Sequence, residues 1–256
     1  MTTAPALHRV EVVRHLVRRD FRLRYHDSSL GLAWSLLLPL TQLLVLVFLF
    51  QRVVPLGIDA YPAFVFSGLL PWSWFSGCLG GAGSLFVGNR DLVRRPAFDP
   101  ATLVVVSTLA NLVAYLVSVP ILLAVCAAYD RWPTAALLWL PLVLLIEETL
   151  IVGCCLVVAT LNVFYRDVQH LVGVMLTLLF YLTPVFYRSD AAHEAYRMVF
   201  TLSPIAVLVD AHRRIFFSGA APPIGPLLLA AVTSGAVCAL GWAVYRRVRH
   251  DIVDAI

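Results

Sequence analysis

From Leu30 to Phe50 the chain runs for 21 residues without a charge, then meets Gln51-Arg52. At 1.5 Å rise per residue, a helix of that length crosses a hydrocarbon layer of about 30 Å. Further apolar stretches lie near 64–87, 101–129, 134–161, 168–186 and 222–245. Over the whole chain 61% of residues are hydrophobic and 13% charged. Soluble domains carry about 45–50% apolar and about 25% charged residues, so the excess apolar surface must face lipid. The predicted fold class is an all-α membrane protein, one transmembrane domain over 1–256. It has six transmembrane helices, an N-terminal amphipathic interfacial helix, and a short re-entrant segment between helices 5 and 6.

The interfacial helix is read from residues 8–26. Val10, Val13, Leu16 or Val17, and Phe21 recur at helical spacing, while Arg14, Arg18 and Arg22 mark another face. Basic residues opposite an apolar stripe suit a helix lying on a membrane surface. The same stretch lacks the apolar core of a cleavable signal. Arg18-Arg19-Asp20-Phe21-Arg22-Leu23 has the look of a twin-arginine export signal. It is followed by His26-Asp27-Ser28-Ser29 and a full-length span, so targeting is the weaker reading.

Within the spans, Pro39 and Pro120 predict kinks and Pro71 a break. Gly77 and Gly81 have the small-xxx-small spacing that lets helices approach closely. Asp130-Arg131-Trp132-Pro133 predicts a tight turn. Val199–Val209 is apolar for only eleven residues and is cut by Ser203-Pro204, too short to span. With the N-terminus cytoplasmic, inside segments hold 13 Arg and outside segments 6. That bias places both termini inside. The segment after the fifth span, with Arg188, Arg197, Arg213 and Arg214, runs against it.

All 19 basic residues are Arg. A Walker A loop needs a Lys to reach the β- and γ-phosphates, so ATP hydrolysis by that route is excluded and no cofactor is expected in this chain. The cysteines, Cys78, Cys126, Cys154, Cys155 and Cys238, sit in apolar runs without metal or redox spacing. No HExxH pair or His-Cys cluster is present, and no metal site is expected. Glu147-Glu148 falls mid-way along the fourth span, where a charge costs about 2.5–3.5 kcal/mol on insertion scales. Adjacent residues on a helix are about 100° apart, so the two carboxyls cannot face one narrow pore. An ion or proton site and an interhelical hydrogen bond to Thr, Asn or Arg both remain open. Trp72, Trp74, Phe75, Phe180, Tyr181, Phe186 and Tyr187 form either an interface belt or stacking surfaces for sugar rings.

Four motifs occur in order. Arg19-Asp20-Phe21-Arg22-Leu23-Arg24-Tyr25 leads through Ser28-Ser29-Leu30-Gly31-Leu32-Ala33-Trp34 to Pro39. Asn162-Val163-Phe164-Tyr165-Arg166-Asp167 closes the fourth span. Phe180-Tyr181-Leu182-Thr183-Pro184-Val185 closes the fifth. Ser203-Pro204 precedes Arg213-Arg214. In these the chain resembles the permease of ABC type-2 polysaccharide exporters, the group that moves lipid-linked O-antigen, capsule, teichoic acid or galactan. Ser203 departs from it, since the family often has Asn before that Pro, and Glu147-Glu148 is not a family pattern.

The resemblance implies a transport subunit rather than an enzyme, in the cytoplasmic membrane of a bacterium and serving cell-envelope biogenesis. Two copies of the chain pair above two copies of a separate ATPase subunit, which holds ATP and Mg. Membrane lipid and a lipid-linked glycan are the other implied partners, and nucleic acid is not one. ATPase coupling falls by likeness to Arg19, Asp20, Arg24, Asn89, Arg90, Asp91, Leu92 and Arg94. Channel or substrate contacts fall to Trp72, Trp74, Phe75, Tyr181, Phe186 and Tyr187. Asn162, Arg166 and Asp167 form a structural motif, and Arg213 and Arg214 are candidates for lipid phosphate. The alternative cargo is a small molecule, drug or lipid; the alternative class is a secondary transporter.

Overall fold

The computed structural model describes residues 33–95, 98–188 and 200–256. The predicted 8–26 helix, with Arg19, Asp20 and Arg24, lies outside the described residues, as do 189–199 of the predicted re-entrant stretch. Among the described residues the secondary structure is helical, without strands. Helix α1 is Ala33–Phe48, continued by a wider turn over Leu49–Val53. Helix α2 is Tyr61–Ala82, followed by the short turns Ser84–Gly88 and Arg90–Val93. Helix α3 is Ala101–Ala127, and α4 is Leu140–Phe164 behind a tight helical turn, Ala135–Trp139. Helix α5 is Val168–Leu182, α6 is Pro204–Arg213 and α7 is Ile224–Ala255.

Four of these segments are long and apolar enough to cross a membrane: Leu36–Val53, Ala101–Ala127, Ala135–Phe164 and Ile224–Ala255. The chain is a multi-pass membrane protein. The other two predicted spans correspond to α2 and α5. Helix α2 has the length, 22 residues, but is interleaved with Ser, Gly, Pro and Trp and is buried on most sides. Helix α5 has 15 residues, about 22 Å at the helical rise. It stops at Leu182 because Thr183 precedes Pro184, and a residue before proline is pushed out of the helical region; Thr183 is extended, with ψ 134°. The predicted end at Phe186 therefore overran. The sixth predicted span, in contrast, continues ten residues past Tyr245 to Ala255.

Starts and turns follow local chemistry. Pro62, Pro141 and Pro204 occupy first-turn positions, where a missing N–H costs nothing. Thr134 accepts from the Ala136 amide at 3.2 Å, capping the turn that leads into α4. Asp130 takes φ +58° in the tight turn after α3, and the Arg131 amide closes it on the Cys126 carbonyl at 2.9 Å. The break expected at Pro71 does not occur: α2 continues through it. Enclosure by neighbouring helices lets a proline persist in a helix at membrane depth.

The most extensive packing is between α4 and α7. At their crossing Gly153 lies against the backbone of Cys238, and Gly241 against the Gly153 carbonyl. The pair expected from sequence, Gly77 and Gly81, is not the point of closest approach. The nearest atom to a Cβ at Gly77 would be Asn111 Oδ1 at 3.8 Å, and nothing described lies within 4 Å of one at Gly81. Helix α2 forms the other half of the core, touching α1, α3, α4 and α6.

Candidate functional site

Helix α6 is short, yet Ile205, Leu208, Val209, His212 and Arg213 are all buried against α2, α4 and α7. Two polar side chains at its end do most to fix it in the bundle. His212 is fully enclosed. Its Nδ1 pairs with the Leu208 carbonyl at 2.9 Å, and its Nε2 lies 3.6 Å from Glu147 Oε2, mid-way along α4. The carbonyl partner requires Nδ1 to carry a proton. The Tyr115 ring of α3 meets the imidazole edge-on at 5.8 Å, and Trp74 of α2 packs on Tyr115 at 5.4 Å. Glu148, one residue on, turns toward α3 and accepts a hydrogen bond from Thr108 Oγ1 at 2.6 Å. The adjacent carboxyls thus serve different neighbours, as the helical rotation requires.

Trp74 Nε1, Tyr115 Oη, both Glu147 oxygens and His212 Nε2 are buried without hydrogen-bond partners among the described residues. Each such atom costs about 1–3 kcal/mol. Four helices concentrate that cost at one place, and violations of packing rules gather where a protein works.

Arg213 is the second anchor. Its Nη2 donates to the carbonyls of Pro184 and Val185, at 2.7 and 2.9 Å. The guanidinium lies 4.0 Å from the Phe64 ring centroid. It passes over Gly68, where a Cβ would stand 2.8 Å from Nη2. Burial lowers its pKa to about 10, which leaves it cationic at neutral pH. The turn after α5 is thereby clamped to α2 and α6, and Tyr61 Oη reinforces it by donating to the Phe186 carbonyl at 3.0 Å. Arg214 is exposed and pairs with Asp210 at 2.8 Å.

At the opposite end of α4, Asn162 is buried. Its Nδ2 donates to the Gly83 carbonyl at 2.8 Å and its Oδ1 accepts from the Gln169 amide at 3.1 Å. Gln169 in turn donates to the Gly80 carbonyl. The motif residue Asn162 therefore joins the ends of α2, α4 and α5, while Arg166 and Asp167 are exposed beside it. Replacing Asn162 by Ala should cost about 1–3 kcal/mol, because the Gly83 carbonyl and Gln169 amide lose their partner in a buried place. A lowered melting midpoint in detergent, with Arg166→Ala close to wild type, is the expected outcome.

The remaining sequence candidates fall in two places. Asn89, Arg90, Asp91, Leu92 and Arg94 occupy the short turns between α2 and α3; Arg90, Asp91 and Arg94 are exposed, Asn89 and Leu92 half-buried. Next to them Asp99 accepts from the Ala101 amide at 3.2 Å and from Tyr245 Oη of α7. The aromatics divide differently. Trp72, Trp74 and Phe75 are buried within the chain itself, and Trp72 packs against Phe180. Phe186 stacks on Phe50, and Tyr187 Oη donates to the Tyr181 and Leu182 carbonyls. Tyr181 is the exposed member of the candidate channel set, at 63%. Sequence reasoning missed His212, Tyr115 and Tyr245. Their partners lie in other helices, and no spacing signal marks them.

A sequence profile of the ABC-2 type transporter matches residues 11–217. The chain is 33% identical, over 243 residues and 94% of both chains, to the O-antigen export system permease protein RfbA of Myxococcus xanthus. It is 27% identical to the Klebsiella pneumoniae protein of the same name over 205 residues, 80% of this chain and 79% of that one. It is 22% identical to the polysialic acid transport protein KpsM of Escherichia coli over 210 residues, 81% of each.

Proposed function

Because the chain belongs to the ABC-2 type transporter family, we infer that it is the membrane-spanning subunit of an ATP-driven polysaccharide exporter. The observation that carries this reading is the near full-length similarity to an O-antigen export permease. Its relatives span two glycan types, O-antigen and polysialic acid, so a polysaccharide is the common cargo. A lipid-linked form of it is the finer reading, implied by the resemblance carried by the four sequence motifs.

In this reading α2 and α5 complete six membrane crossings, and both termini are cytoplasmic. The Arg bias supports that orientation. The turns at 84–95 then face the cytoplasm, where Arg90, Asp91 and Arg94 are exposed for a separate ATPase subunit. Two copies of the chain, paired in the inner membrane above two ATPases, enclose the passage. Helix α6 lies at the far end of the bundle, dipping into the outer leaflet and returning. Its anchoring by Arg213 and by the Glu147–His212 contact makes it a cap whose position depends on α4.

Disruption of the gene should remove polysaccharide from the cell surface and leave it inside, read by gel staining of surface and lysate fractions. Restoration should require both this chain and its ATPase. The purified chain in liposomes should hydrolyse no ATP until that subunit is added. Unchanged surface polysaccharide, together with new sensitivity to a small toxic compound, would instead assign a small-molecule cargo.

A further inference from the structure

Three cavities adjoin one another at the end of the bundle that carries the 129–134 turn. The first, about 390 Å³, is walled by Asp59, Arg131, Arg188, Asp210, Arg213 and Arg214. The second, about 290 Å³, shares Asp210 and Arg214 with it and is otherwise walled mainly by apolar side chains, among them Pro184, Val207, Pro222 and Leu227. The third, about 480 Å³, shares Leu227 with the second and lies between α4 and α7, lined by Trp139, Leu142, Ile146 and Leu228.

Their chemistry changes in one direction. The first cavity has four arginines against two aspartates, an excess of two positive charges. Arg213 is buried there, and its Nε lacks a hydrogen-bond partner among the described residues. The third has no ionisable side chain and opens sideways, since Leu145 and Leu228 are 63% and 60% exposed. Depth changes with polarity. Asp59 precedes α2 and Arg131 follows α3, so the cationic cavity lies at helix ends, where headgroups sit. The apolar groove starts at Trp139 and runs inward along α4 to Thr149.

We propose that this path is a binding site for an anionic phospholipid of the bilayer, its phosphate among Arg131, Arg188 and Arg214 and an acyl chain in the α4–α7 groove. Charge complementarity selects a phosphate head, and the lateral opening admits a molecule that arrives from the membrane. Arg214, on the wall shared by the first and second cavities, then has two alternative anions, Asp210 and the phosphate. Only the bilayer crossing of α4 and α7 is required, whatever cargo passes.

The test uses the purified full chain in nanodiscs and native mass spectrometry of retained lipid. Phosphatidylglycerol should be retained over phosphatidylcholine by on the order of tenfold. Arg131→Gln with Arg188→Gln should lower phosphatidylglycerol retention by roughly tenfold and so erase the preference. Both side chains are exposed, so the double variant should melt as the wild type does. Leu228→Trp should reduce retention of either lipid while leaving the preference intact. Equal retention of the two lipids, or an unaltered preference in the double variant, would overturn the assignment. Displacement by inorganic phosphate as readily as by phosphatidylglycerol would reduce the site to a plain anion cavity. Preferential retention of an isoprenoid phosphate would give it to a carrier lipid instead. Export assays do not enter the readout, so a wrong cargo leaves this result standing.

Discussion

Replacing Arg213 by Ala should lower the stability of the purified protein by roughly 3–5 kcal/mol and remove most export. Two buried carbonyls, those of Pro184 and Val185, lose a charged donor at once, and hydrogen bonds to charged groups contribute about 1.5–3 kcal/mol each. The contact with the Phe64 ring disappears as well. Lys should not rescue, because an ammonium cannot lie flat on the ring and bridge both carbonyls as the planar fork does. Arg214→Ala is the control: its pair with Asp210 is exposed and worth about 0–1 kcal/mol. Thermal melting in detergent, beside an assay of surface polysaccharide, separates the two. A Lys variant with wild-type melting and export would refute this role for the guanidinium.

The second large effect belongs to the α4–α7 crossing. A Cβ at Gly241 would stand 2.3 Å from the Gly153 carbonyl oxygen, and one at Gly153 would stand 2.6 Å from the Cys238 backbone. Both obstacles are main chain, so no rotamer change relieves them and the helices must part. Each Gly→Ala change should cost about 1–3 kcal/mol, the range for overpacking, and Gly241→Leu should leave little folded protein. Gly225 and Gly235 lie on the same helix with nothing within 4 Å. Alanine there should be neutral or gain up to about 1 kcal/mol of helix propensity. Fluorescence-detected gel filtration after a heat step gives the ranking. Folded Gly241→Leu protein at wild-type yield would contradict the geometry.

Gly241 also shows where sequence stops being informative. Gly77 and Gly81 carry the recognised spacing, yet the tight crossing uses single glycines 88 positions apart in the chain. A spacing rule describes one helix, whereas closest approach is a property of two. The apolar stretches were legible because bilayer thickness imposes a length on them, and their ends were less so. The Thr183-Pro184 stop was written in the sequence but masked by the apolar Val185-Phe186 that follows. The extension of α7 past Tyr245 was hidden by its charges, which end a lipid-facing run without ending a helix.

Within the site, Glu147 stood out because a mid-span carboxyl is expensive. Its neighbour His212 did not, since a lone histidine 65 residues away in an interrupted segment carries no pattern. Asn162 was legible as part of a motif, but its partners at Gly83 and Gln169 needed the fold.

The length of α7 has a mechanical consequence. Thirty-two residues make a rod of about 48 Å, nearly 20 Å longer than the apolar layer it crosses. Its projecting end is tethered to Asp99 through Tyr245, and its middle is pinned to α4 at Gly241. A push delivered near Asp99 is therefore carried as tilt along a stiff lever, since local unwinding would break both fastenings. Helix α5 is fastened at both ends, by Gln169 and by the Arg213 clamp on the turn after it, whereas α1, with Pro39 and Leu43 its buried residues among those described, is the part left free to slide. Paired spin labels on α4 and α7 should then report one distance in every stage of turnover, and labels from α1 to α7 several.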